Sequence, residues 1–195
     1  MRTRLVSIAA LLAVAGFLLP LAGAIGTRVG LWRFVAGFGL LAAGVLAALA
    51  AVVLGLIGGW TSGRWGLAAA AMAGGLIAAV IPLSAMIAGF AAPPIHDIST
   101  DTTDPPRFAA VLPLRGADAS PAEYDGPETA AQQQRAYPDI KPIMVSTPPP
   151  ATLERVIAVA RDLGWTIMGQ DPSRGTLEAT DTTFWFGFTD DIVVR

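Results

Sequence analysis

No acidic residue precedes Asp97, and the first 92 residues carry five charges, all arginines: Arg2, Arg4, Arg28, Arg33 and Arg64. The arginines bound three uncharged intervals: 23 residues between Arg4 and Arg28, 30 between Arg33 and Arg64, and 31 between Arg64 and His96. A helix crosses a hydrocarbon core of about 30 Å with about 20 apolar residues, and backbone in lipid must satisfy its own hydrogen bonds. Residues 1–92 are therefore predicted to be an α-helical membrane anchor with transmembrane helices near 5–25, 34–58 and 66–90. One soluble domain is excluded, because no core is large enough to hide so long an apolar stretch. The first helix has a second reading, a secretory signal peptide ending at Ala22-Gly23-Ala24.

The charge arithmetic separates two materials. Residues 1–92 stand at +5, and the remaining 103 residues, with eight Lys/Arg and fifteen Asp/Glu, stand at −7. The acidic part repels phosphate backbones, so no nucleic-acid partner is expected. With no cysteine, a disulfide scaffold, a thiolate metal site and a cysteine nucleophile are excluded. No ionisable residue lies mid-span, which argues against a pump or proton-coupled transporter. The positive-inside count is close to a tie. Arg2 and Arg4, with no Lys or Arg from 93 to 106, favour the N-terminus inside and the chain after residue 92 outside. Gly26-xxx-Gly30 and Gly55-xxx-Gly59 have the spacing of close helix contacts, either within the chain or between copies of it.

From 93 to 150 the sequence is rich in Pro, Asp, Thr and Gln and reads as an extended arm or linker, least ordered over 116–136, with a short helix allowed over 121–135. Regularity returns in 151–195. Leu153, Val156, Ile157, Ala160 and Leu163 mark one face of a helix that Pro149 and Pro150 start and Gly164 stops. Trp165–Met168, Thr176–Thr182 and Phe184–Phe188 read as strand material, Asp190-Asp191 as a break, and Ile192–Arg195 as the start of another strand. The predicted fold is a small α+β domain with an antiparallel sheet after the membrane anchor.

The segments PPIHDISTDTTDPPRF (93–108), YPDIKPI (137–143), VIAVARDLGW (156–165) and GTLEATDTTFWFGFTDDIVVR (175–195) resemble the domain-of-unknown-function 1499 family over about 93–195. The resemblance implies N-terminal hydrophobic helices ahead of the domain, as here, and no assigned activity. It also implies a family pattern that runs past the position of Arg195, so a C-terminal part is expected to be missing.

The candidate chemistry is sparse. His96, Asp97, Asp101 and Asp104 could be imagined around a metal, but they match no EF-hand spacing and offer zinc no second nitrogen or sulfur. The plainer reading is a solvated arm, so no metal and no cofactor are expected. Ser99 and Thr100 beside His96 and Asp97 carry no nucleophile elbow. The neighbours Asp190 and Asp191 would point to opposite faces of a strand, as would Glu178 and Asp181 by their parity. The run Phe184-Trp185-Phe186-Gly187-Phe188 has three readings: core packed on Leu153, Ile157 and Trp165; an apolar ligand pocket of Trp165, Phe184, Phe186 and Phe188; or an aromatic surface at the bilayer interface.

The expectation is a bacterial-type inner-membrane protein with a periplasmic domain and a non-catalytic envelope role. The alternative is a tethered module for a lipid or other apolar ligand. The lipid bilayer is the expected partner, with a protein of the envelope and a second copy of the chain left open.

Overall fold

The computed structural model describes residues 2–116 and 119–195; Met1, the side chain of Arg2, and Ala117 and Asp118 within the 116–136 stretch lie outside the described residues. Two compact units result. One holds the helices up to Ala91 together with Thr183–Phe188, and the other holds Ala92–Thr182 and Thr189–Arg195.

The first unit is built on α1 (Arg2–Arg28), α2 (Phe34–Ser62) and α3 (Trp65–Ala91). All three are long and apolar enough to cross a membrane. Their packing inverts the rule of soluble proteins. Small residues form the interior, with Ala48, Ala51 and Ala68 fully buried, while Leu11, Leu46 and Ile81 face outward. Such a surface suits a solvent of acyl chains, in which close van der Waals approach of backbones holds helices together. The glycines make that approach. A Cβ built on Gly75 of α3 would lie 2.5 Å from the Ala48 carbonyl oxygen of α2, and one on Gly44 would meet the ring of Pro20 in α1. Gly55 and Gly59 face Met72, Ala68 and Trp65 of the same chain, so this pair serves contacts within the bundle. Gly75→Leu is expected to split α2 from α3. Cysteine pairs across this seam (Ala48 with Ala78, which share one buried cluster) would then lose their disulfide crosslinking, while pairs across the α1–α2 seam keep it.

The second unit joins α4 (Gly126–Ala136) and α5 (Pro149–Asp162) to a sheet of β1 (Thr166–Asp171), β2 (Thr176–Thr182) and β3 (Thr189–Val194). The strands are antiparallel in the order β1-β2-β3. The α+β architecture with an antiparallel sheet is thus present. Helix α5 begins at Pro149, and Gly164 beyond its end takes φ +81°. Leu153 and Ala160 of α5 pack against Leu177 of β2, with Val156, Ile157, Trp165, Ile167 and Val194 around them. Alternation along β2 turns Leu177 and Ala179 to one face and Glu178 to the other.

Two segments differ from the sequence reading. Asp190 and Asp191 are no break: they pair with Asp181 and Thr180 inside β3. Phe184–Phe188 is not a strand but the loop between β2 and β3, with Phe186 at φ +62° and Gly187 at φ +69°. Two successive left-handed residues reverse the chain, which an alternating aromatic pattern does not disclose.

Candidate functional site

The Pro-rich stretch is held by side chains whose roles emerge only in three dimensions. Glu178 is buried on the face of β2 opposite Leu177. Its carboxylate accepts hydrogen bonds from the backbone N–H groups of Ala109 (3.0 Å), Ala110 (2.9 Å) and Val111 (3.0 Å). Burial alone would raise its pKa, but the three amides outweigh it and hold the carboxyl below the ordinary glutamate range. Gly169, the β1 partner of Glu178, leaves room for this strap, since a Cβ there would lie 2.5 Å from Ala110 Cβ. A register shift between Ile167 and Gly169 leaves Met168 as an extra residue beside the strap.

Gln133 of α4 pins the preceding turn. Its amide nitrogen donates to the Ser99 carbonyl at 2.6 Å, and its oxygen accepts from Ser99 N–H at 2.9 Å and from the Tyr124 hydroxyl at 3.1 Å. The Asp101 carboxylate caps the N–H groups of Thr103 and Asp104, which lowers its pKa. Asp101 and Asp104 both pair with Arg195, at 3.5 and 2.9 Å.

Beside the strap opens a cleft of about 540 Å³, lined among others by His96, Asp97, Arg115, Met168, Thr180 and Asp191. Arg115 bonds Asp191 at 3.2 Å and donates to the Ser120 carbonyl at 2.6 Å. Burial raises the pKa of Asp97, against the backbone hydrogen bond of Ile98 and the charge of Arg115, which pull it down. A raised folded-state pKa gives stability below the ordinary aspartate range and loses it as pH rises through the folded value. Asp97→Asn is therefore expected to melt higher than the parent at neutral pH. Melting curves taken down to acid pH should show that advantage vanish.

The proposed metal residues are divided between two settings: His96 and Asp97 line the cleft, whereas Asp101 and Asp104 are engaged by Arg195. Among the described residues no group of three His, Asp or Glu side chains is placed to hold a metal ion. The four aromatic candidates are likewise divided. Trp165 belongs to the core around α5, and Phe184, Phe186 and Phe188 belong to the helical unit.

In that unit the loop is seated on α2. Phe186 lies 4.9 Å from Phe38, ring centre to ring centre, and Phe188 lies 6.0 Å from Phe34. Arg28, the last residue of α1, donates to the carbonyls of Thr183 (2.6 Å) and Phe184 (3.0 Å) and rests against the Phe184 ring. Periodicity missed Glu178, Gln133 and Arg28 because their partners are 68, 34 and 155 residues away. A lone glutamate between Leu177 and Ala179 in a strand was the available signal, since a buried carboxylate demands donors.

No curated protein and no solved structure matches the chain. The family described as protein of unknown function (DUF1499) matches residues 97–195, which include the strap, the sheet, the aromatic loop and the cleft apart from His96. By this match over half of its length, the chain belongs to the DUF1499 family.

Proposed function

We propose that this chain is a bacterial-type inner-membrane protein whose family domain lies on the extracytoplasmic side and has a non-catalytic role, engaging another component of the envelope. The observation that carries the non-catalytic reading is the use of charge in the domain. Glu178 is taken up by backbone amides, Arg115 by Asp191 and Ser120, and Arg195 by Asp101 and Asp104. Each works as a structural tie. The membrane reading draws on the outward-facing large apolar side chains of the bundle. Odd span number is supported by the loop Thr183–Phe188, which follows all three helices yet packs at the α1–α2 turn. Photo-crosslinking from exposed positions of α5 in intact membranes tests the role: a discrete crosslinked protein supports it, and a domain that captures none speaks against it.

A lipid or other apolar ligand is the second reading. The cleft has the size for it, within the roughly 300–1,000 Å³ of small-molecule sites, and the part of its lining that suits an apolar group is Phe108, Val111, Leu114 and Met168, beside the charged Asp97, Arg115 and Asp191. Native mass spectrometry of the full chain released from nanodiscs would then show one bound species that Met168→Glu removes.

A further inference from the structure

We propose that the loop Thr183–Phe188 is a membrane-interface anchor that rests in the boundary between lipid headgroups and acyl chains, beside the start of α2. The inference rests on the membrane reading above and goes beyond it, because it concerns a segment far outside the three spans.

Depth comes first. Helix α2 has 29 residues. At about 1.5 Å per residue it is longer than a hydrocarbon core of about 30 Å, so its first turns reach the headgroup layer. Phe34 and Phe38 lie in those turns, and they are the residues on which Phe186 and Phe188 pack. The loop is thereby held at the level where Trp and other aromatic side chains are favoured.

The second observation is what the loop leaves uncovered. Phe184 is 73% exposed and Trp185 54% exposed. Large apolar side chains are thus left uncovered at the loop, as they are on the outer faces of the helices.

The third is how the loop satisfies its backbone. Arg28 takes the carbonyls of Thr183 and Phe184. The Thr183 hydroxyl donates to the Trp185 carbonyl at 2.8 Å and accepts from Phe188 N–H at 2.9 Å, while Thr183 N–H donates to the Phe188 carbonyl at 2.8 Å. These bonds satisfy the carbonyls of Thr183, Phe184, Trp185 and Phe188 and the N–H groups of Thr183 and Phe188, which suits the partly hydrated headgroup boundary rather than the dry hydrocarbon core. The left-handed Phe186 is held in this shape by Phe38 and by Gly37, whose Cβ would stand 3.1 Å from the Phe186 ring.

The chain lacks cysteine, so single-cysteine probes are clean. Full-length protein carrying Trp185→Cys, or Phe184→Cys as a second variant, is labelled with an environment-sensitive fluorophore. It is then reconstituted in vesicles of phosphatidylcholine and phosphatidylglycerol. Lipids brominated near the headgroup end of the chain are expected to quench it several-fold more than lipids brominated at the bilayer centre, with emission shifted to the blue. A probe at Glu154→Cys, on exposed α5, reports water. A probe at Leu49→Cys, within α2, reports the bilayer centre. Quenching at Leu49 with a water-like signal at both 184 and 185 overturns the anchor and leaves the membrane reading standing. A water-like signal at Leu49 overturns the membrane reading, and the anchor with it.

Discussion

Full-length protein carrying Glu178→Ala is expected to lose about 2–3 kcal/mol of stability in its second unit, because the buried Val111 N–H and the partly buried N–H groups of Ala109 and Ala110 are left without their acceptor. Glu178→Gln should lose much of the same, since one oxygen becomes an NH₂ group facing amide hydrogens. The Gln variant keeps the size of the side chain, so a shared defect isolates the charge and the acceptor. Hydrogen exchange at Ala109, Ala110 and Val111 checks it: protection should fall at the strap while α1–α3 stay protected. Acid has the same target. The Glu178 carboxyl is held below its ordinary range, so its contribution is full at neutral pH. It is lost as pH falls through the folded-state value. Melting curves of the parent should therefore drop on acidification, and those of Glu178→Gln should drop less.

Removing the Arg28 guanidinium is the second large perturbation. Arg28→Met keeps the apolar stem but withdraws both bonds to the loop carbonyls and the contact with the Phe184 ring. Hydrogen bonds from a charged donor are worth more than neutral ones, and the partly open position reduces this to about 1.5 kcal/mol in total. Cleavage that tracks the open population should then be about tenfold faster. Limited chymotrypsin digestion in detergent, which cuts after Phe and Trp, reads this directly at Phe184–Phe188. Gly187→Val should act from the other side, since Gly187 has φ +69° and a Cβ there would lie 3.2 Å from Arg28 Cα. Arg64→Met, at the α2–α3 turn, should leave the cleavage rate unchanged.

These two clusters mark where the sequence stops being legible. Uncharged intervals between arginines disclose α1, α2 and α3 because a membrane solvent requires length and apolarity, which are local properties. Helix α5, β1 and β2 are also local, written in the spacing of Leu153, Ile157 and Ala160 and in the Thr-rich run after Gly175. The strap over Glu178 is not local: Ala109-Ala110-Val111 has no pattern of its own, and its order comes from a carboxylate on a distant strand. The aromatic run misleads for the same reason. Its alternation suits a strand, but Phe34, Phe38 and Arg28 stabilise a left-handed reversal instead. Asp190-Asp191 looks like a turn because paired acids disfavour strands. Its place in β3 is made tolerable by Arg115, which neutralises Asp191. The cleft brings together His96, Asp97 and Arg115, of which only the first two are neighbours in the sequence.

The most direct test of the membrane arrangement is the sidedness of single cysteines in intact cells. Leu31→Cys reports the α1–α2 turn, Gly66→Cys the start of α3, and Glu154→Cys the family domain; Leu31 and Glu154 are exposed, and no atom crowds a Cβ at Gly66. A membrane-impermeant maleimide added from outside is expected to label Leu31→Cys and Glu154→Cys but to label Gly66→Cys only after lysis. Labelling of Gly66→Cys alone would invert the orientation, and labelling of only one of Leu31→Cys and Glu154→Cys would contradict the three-span account.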